Sequence, residues 1–179
     1  KDAKERMQKS VESTNHEFGS VRTGRASPAL LDRVMVDYYG APTPLRQLAT
    51  ISAPEAQLLS VQPYDVSSIK LLEKAIMESG IGLTPNNDGK VIRLAIPQLN
   101  EERRRELVKM VRGIAEEGRI AVRNVRRDTM QDLRELKEEG ELGADDEHRA
   151  EGELQKLTDG AIATLDGYLK GKEDEILEV

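Results

Sequence analysis

Arg105, Arg112, Arg119 and Arg126 stand seven residues apart, with Arg123 on the same line and Arg104 and Arg127 beside it. Guanidinium groups make bidentate hydrogen bonds to phosphate that lysine does not reproduce. Seven residues at about 100° each leave a drift of only about 20° per step, so on a helix these arginines form one slowly winding stripe. It lies about 160° from Leu107 on the wheel, on a face the core does not need. A row of this length suits a polyphosphate backbone. A competing use is a solvated face laced with salt bridges to Glu101, Glu102, Glu106, Glu116 and Glu117. Arginines outnumber acids near the stripe, so the two readings stand level on these residues alone.

Catalytic chemistry is sparse. His16 and His148 are far apart, and neither sits in a ligand-spaced pair, so no metal is expected. There is no Gly-x-x-x-x-Gly-Lys loop for nucleotide hydrolysis. Gly80-Ile81-Gly82 lacks the third glycine of a dinucleotide fingerprint and ends a helical pattern rather than opening one. Glu138, Glu139 and Glu141 form a solvated acidic run with no paired acid and base. With no cysteine, a disulfide framework and a thiolate site are excluded, which fits a reducing compartment. The expectation is a chain that is not an enzyme and holds no cofactor. A second basic motif, Arg22-Thr23-Gly24-Arg25-Ala26-Ser27-Pro28, closes the first helical stretch, where cations also complement a helix dipole.

Three helical stretches must position these residues. Residues 1–24 carry Met7, Val11, Phe18 and Val21, with Thr14 between, in a 4–3–4–3 pattern suited to a bundle seam. Residues 101–139 run without proline, with Leu107, Val111, Ile114, Ala121, Val125, Leu133 and Leu136 on one side. At 1.5 Å per residue this helix is about 55–60 Å long. Gly113 and Gly118 are each expected to weaken it by about 1 kcal/mol relative to alanine. After the stops Gly140 and Gly143, Asp145 or Asp146 opens a third helix. Its inner side carries Leu154, Leu157, Ala161, Leu165, Tyr168, Leu169, Ile176 and Leu177.

Between the first two helices the period changes. Val34, Val36 and Tyr38 alternate with polar neighbours, Gln57–Gln62 and Val91–Ile96 read as strands, and Ile69, Leu72 and Ile76 share a short helical face ending at Gly80. Thr84 to Gly89 is a dense turn signal. The architecture expected is α+β: an antiparallel three-helix bundle from residues 1–26 and 101–179, with a small β/α/β domain, 27–100, inserted. The chain crosses between them at Ala26-Ser27-Pro28 and at Pro97-Gln98-Leu99-Asn100, which makes Ala26, Ser27, Pro28, Pro97 and Gln98 hinge candidates.

Charge is divided along the chain. Residues 101–127 hold nine Lys/Arg against five acids, and residues 128–179 hold six against seventeen, within a net charge of −6. A local field governs encounter more than the total does, and the acidic remainder discourages indiscriminate binding. No apolar stretch approaches the roughly 20 residues of a membrane span. The sequence starts at Lys1 rather than Met, which points to an N-terminal piece trimmed or left out.

Four separated motifs carry a family resemblance over essentially the whole chain. They are Arg22 to Pro28, Tyr38-Tyr39-Gly40-Ala41-Pro42-Thr43-Pro44-Leu45, Val122-Arg123-Asn124-Val125-Arg126-Arg127-Asp128 and Gln155-Lys156-Leu157-Thr158-Asp159. In this order they resemble the ribosome recycling factor family. The resemblance implies an L-shaped, two-domain molecule that mimics tRNA and binds the post-termination ribosome through large-subunit rRNA. With elongation factor G and GTP it implies dissociation of the subunits and release of mRNA and tRNA. It carries an rRNA-binding role onto Arg123, Arg126 and Arg127, with Arg22, Arg25, Arg103 and Arg104 as further matches; the stripe adds Arg119. It further implies a monomer without DNA or membrane partners, in the bacterial cytoplasm or, for a eukaryotic source, an organelle stroma or matrix.

Two other classes share parts of this pattern. A generic RNA-binding, ribosome-associated regulator needs the stripe but no hinge and no translocase. A structural coiled coil would use the arginines as interhelical salt bridges.

Overall fold

The structure is a computed structural model that describes residues 1–178. In chain order the elements are α1 (Asp2–Ser20), β1 (Met35–Tyr38), β2 (Ala41–Pro44), a single turn α2 (Leu45–Leu48), β3 (Ala49–Glu55), β4 (Leu58–Pro63), α3 (Ile69–Glu78), β5 (Pro85–Asn87), β6 (Ile92–Ala95), α4 (Glu101–Glu138) and α5 (Ala144–Leu177). The class is α+β, a long helical bundle and a small sheet domain. Two compact units divide the chain. One holds Lys1–Phe18 and Val108–Glu173; the other holds Gly19–Leu107 and the last residues from Asp174.

The first unit holds most of α4, which at 38 residues extends about 57 Å and whose residues 101–107 belong to the second unit. Its start is capped by Asn100, whose side-chain oxygen accepts from the Arg103 amide at 2.7 Å, and Glu101 and Glu102 complement the positive end of the dipole. Its end is a Schellman turn. Gly140 takes a left-handed φ of 75°, its amide donates to the Lys137 carbonyl at 3.0 Å, and the Glu141 amide donates to that of Leu136 at 2.9 Å.

Pairings along α4 set the direction of both neighbours. Arg112, Arg119 and Lys137 meet Glu173, Asp166 and Glu147 in turn, so α5 runs antiparallel to it. Asp128 meets Arg6, and Gly118 lies against Thr14, so α1 is antiparallel as well.

The seam of α4 differs in phase from the expected one. Leu107, Val111 and Val125 are buried, but the line between them runs through Ala115, Gly118 and Val122. Ile114, Ala121 and Leu133 are half-buried, and Leu136 is exposed. The reason is close approach. A Cβ placed on Gly118 would lie 2.6 Å from Leu165 Cδ1 and 3.0 Å from Thr14 Cγ2, so only glycine lets the three helices meet here. Gly118 is therefore a packing requirement, whereas Gly113 has nothing within 4 Å and keeps only its intrinsic cost.

On α5 the buried line is Leu154, Thr158, Leu165, Lys172 and Ile176. Tyr168 and Leu177, expected inward, fall beside that line and are 43% and 60% exposed. Two threonines occupy seam positions without an unsatisfied hydroxyl. Thr14 Oγ1 donates to the Ser10 carbonyl at 2.9 Å and Thr158 Oγ1 to that of Leu154 at 2.8 Å.

The second unit holds an antiparallel sheet of order β3-β4-β6-β5 and a separate β1–β2 hairpin. Alternation sends Leu59 and Val61 of β4, and Ile92 and Leu94 of β6, into a core shared with Leu72 and Ile76 of α3 and with Val34, Val36 and Leu45. Tyr39 and Gly40, with φ of 52° and 85°, form the two-residue turn of the hairpin, the arrangement that matches strand twist. Of the strands, β2, β3 and β5 were not expected, and β5 falls inside the stretch read as a turn. Ala26, Ser27, Pro28, Pro97 and Gln98, the expected crossings, all lie within this unit. Ala26 belongs to its core and donates its amide to the Ala56 carbonyl at 2.7 Å, and Ser27 Oγ accepts from the Ala29 amide at 3.3 Å.

Candidate nucleic-acid interface

The outward side of α4 divides into two stretches with different electrostatics. Along the first, arginines of the heptad stripe are engaged by acids. Arg105 pairs with Glu101 one turn back. Arg112 Nε donates to Glu173 Oε1 of α5 at 2.7 Å. Arg119 donates from Nε and Nη2 to Asp166 Oδ1 at 2.9 and 2.6 Å, and from Nη1 to Glu116 Oε2 at 3.0 Å, leaving its side chain 21% exposed. The hydrogen bonds it donates to Asp166 chiefly raise the Arg119 pKa, and the one donated to Glu173 chiefly raises that of Arg112. Glu116 is lowered in turn, first by Arg119 and then by Arg123. Single pairs of this kind at a surface contribute little to stability, but those of Arg112 with Glu173 and Arg119 with Asp166 tie α4 to α5 in a fixed register.

Along the second stretch the side chains are mostly exposed, with Arg126 and Met130 half-buried. Arg123, Asn124, Arg126 and Arg127 line a shallow groove of about 500 Å³ together with Met130, Gln131 and Arg134. These positions recur at steps of three and four, which is one face of a helix. Arg126, Arg127 and Arg134 make no ion pair or hydrogen bond through their guanidiniums among the described residues. Arg123 is half-engaged, with Nη1 3.2 Å from Glu116 Oε1 and its side chain 52% exposed. Unpaired guanidiniums packed this closely repel one another, and an anion seated between them relieves that repulsion.

Of the candidate residues, the structure therefore gathers Arg123, Arg126 and Arg127 into one groove and turns Arg119 toward α5. The others belong to the second unit. Arg22 Nη1 donates to the Gly82 carbonyl at 3.4 Å, Arg25 lies 3.9 Å from Glu178, Arg103 bonds Glu106 at 2.9 Å, and Arg104 is half-buried. Arg134, Asn124 and Gln131 were missed. Their signal was present in the spacing, since Arg127 to Arg134 and Asn124 to Gln131 are both steps of seven. Among the described residues no group of three or more His, Asp or Glu is placed to hold a metal ion, and no helix is long and apolar enough to cross a membrane.

Fold and groove together define a class: an α+β binding protein that offers a stiff helical rod with an open row of guanidiniums. The ribosome recycling factor family model matches residues 14–177, and the chain belongs to that family, whose members are translation factors and not enzymes. It is 55% identical over 178 residues to the ribosome-recycling factor of Rubrobacter xylanophilus, covering 99% of this chain and 96% of that protein. It is 50% identical to that of Prochlorococcus marinus, covering 99% and 98%. Its fold matches a solution structure of the ribosome recycling factor with a TM-score of 0.80 and 42% identity, over 99% of this chain and 94% of the other. A second match, at TM-score 0.71 and 48% identity over 98% and 95%, is to a chain from models of the T. thermophilus ribosome recycling factor and E. coli elongation factor G bound to the E. coli post-termination complex.

Proposed function

We propose that this chain binds large-subunit rRNA of the post-termination ribosome through the open groove of α4 and, with elongation factor G and GTP, promotes separation of the subunits and release of mRNA and tRNA. The observation that carries the reading is the contrast along α4. Acids engage Arg105, Arg112 and Arg119, while the guanidiniums of Arg126, Arg127 and Arg134 stay available for an outside anion. The chain acts in the cytoplasm of a bacterium as a monomer and hydrolyses nothing itself. GTP hydrolysis by the partner supplies the work, and the rod transmits it to the RNA.

The test is splitting of purified bacterial ribosomes, followed by light scattering, with and without elongation factor G and GTP. Splitting is expected only with all components present. Arg126→Ala is expected to weaken large-subunit binding and to reduce the salt slope of log Kd by about 1, with unchanged helicity. An unchanged salt titration would remove Arg126 from the interface. Ribosome binding without any splitting would favour the regulator reading instead.

A further inference from the structure

Beside the guanidiniums of the α4 groove run two amides. Asn124 and Gln131 are seven residues apart and share a line about 10.5 Å long. Arg123, Arg127 and Arg134 form a second line, spanning about 16.5 Å and lying roughly 70° around the helix from the first. Gln131 Nε2 donates to Glu135 Oε1 at 3.1 Å, which fixes the amide and leaves its carbonyl oxygen for a ligand. Asn124 is exposed, and its side chain makes no hydrogen bond among the described residues. Beyond the amide line, on the side away from the arginines, stand the carboxylates Asp128 and Glu135. A phosphate is therefore drawn to the arginine line and kept off the amide line.

The complementary partner has a charged rail with a neutral, hydroxyl-bearing edge beside it. A-form RNA has this layout, because its wide, shallow minor groove displays ribose 2′-hydroxyls next to the backbone. A 2′-hydroxyl both donates and accepts, and a carboxamide offers both functions in return. B-form DNA has the rail but lacks the hydroxyl. We infer that Asn124 and Gln131 contact ribose 2′-hydroxyls and so select A-form RNA over DNA, while Arg123, Arg127 and Arg134 hold the phosphates. The inference rests on the rRNA-binding reading and adds to it the feature of the RNA that is read.

The experiment measures fluorescence anisotropy of the intact chain with an RNA duplex of about 16 base pairs and the DNA duplex of the same sequence, alongside sedimentation with purified large subunits. The unsubstituted chain is expected to bind the RNA duplex more tightly than the DNA. Asn124→Ala/Gln131→Ala is expected to raise Kd for RNA about five- to tenfold, leave Kd for DNA in place and leave the salt slope unchanged. Arg127→Ala is expected to weaken both duplexes and to lower the slope by about 1. An equal loss for RNA and DNA in the amide variant, or no loss for RNA, overturns the inference. Binding to subunits but to neither duplex also overturns it while leaving the rRNA reading in place; failure to bind subunits removes that reading itself.

Discussion

Two glycines of α4, five residues apart, have opposite meanings. Both look like weak points in a helix, because glycine gives up more backbone freedom on folding than any other residue. Gly113 faces open space, so Gly113→Ala is expected to stabilise the chain by about 1 kcal/mol. Gly118 is where α1 and α5 close on α4, and a methyl group there must displace Leu165 and Thr14. Overpacking of this kind costs about 1–3 kcal/mol, more than the gain in helix propensity. Gly118→Ala is thus expected to lower the urea midpoint while Gly113→Ala raises it. Two shifts of the same sign would mean that the seam relaxes freely around the added carbon. The arginines divide in the same way. Arg119 and Arg126 share one stripe and are both half-buried, yet Arg119 meets Asp166 and Arg126 meets no acid among the described residues. Spacing along one helix establishes which residues share a face. It carries no information about which carboxylate a neighbouring helix brings opposite them, and for that reason Arg119 entered the candidate interface; Arg134, by contrast, had its signal in the spacing, seven residues beyond Arg127.

At the level of elements, legibility followed length and apolar periodicity. The 38 residues of α4, the span of α3 and the alternating strands β4 and β6 each repeat a buried pattern several times. By contrast, β2 reads Ala-Pro-Thr-Pro and β5 reads Pro-Asn-Asn, compositions of turns; both are edge strands, where a missing amide leaves no gap in the ladder. β3 is also an edge and is mostly exposed, so no alternation marks it. The β5–β6 connection is held by one carboxylate. Asp88 accepts from the Val91 amide at 2.8 Å, from Arg93 Nη1 at 2.6 Å and from the Lys90 amide at 2.9 Å. The Val91 amide first, and then Arg93, hold this carboxyl well below the usual carboxylate range. A depressed folded value means that the group stabilises the fold above its unfolded pKa of about 3.9 and loses that contribution as pH falls toward the folded value. Asp88→Asn is accordingly expected to be less stable than the parent at neutral pH, with the gap narrowing steadily below about pH 4. Hydrogen exchange of the β6 amides in both proteins across that range checks it; a gap independent of pH would exclude the charge as its source.

Across the whole chain, the cationic groove is a local exception on an acidic molecule. The net charge is −6, and the segment after Arg127 carries seventeen acids against six bases. Glu138, Glu139 and Glu141 follow directly on the groove's C-terminal end and are exposed. Negative charge at that position repels any RNA whose backbone continues past the guanidinium rows, so it restricts binding to a surface that ends or bends away there. Replacing all three with glutamine is expected to tighten binding to unrelated RNA by a few fold at low salt. That gain should fade above physiological ionic strength, where the Debye length drops below about 8 Å. Affinity for large subunits should change less, because contacts within the groove dominate there. Titrations of both ligands at two salt concentrations separate the terms. A uniform gain for subunits and unrelated RNA at every salt concentration would mean that these acids contribute nothing to selectivity, and that discrimination resides in the groove alone.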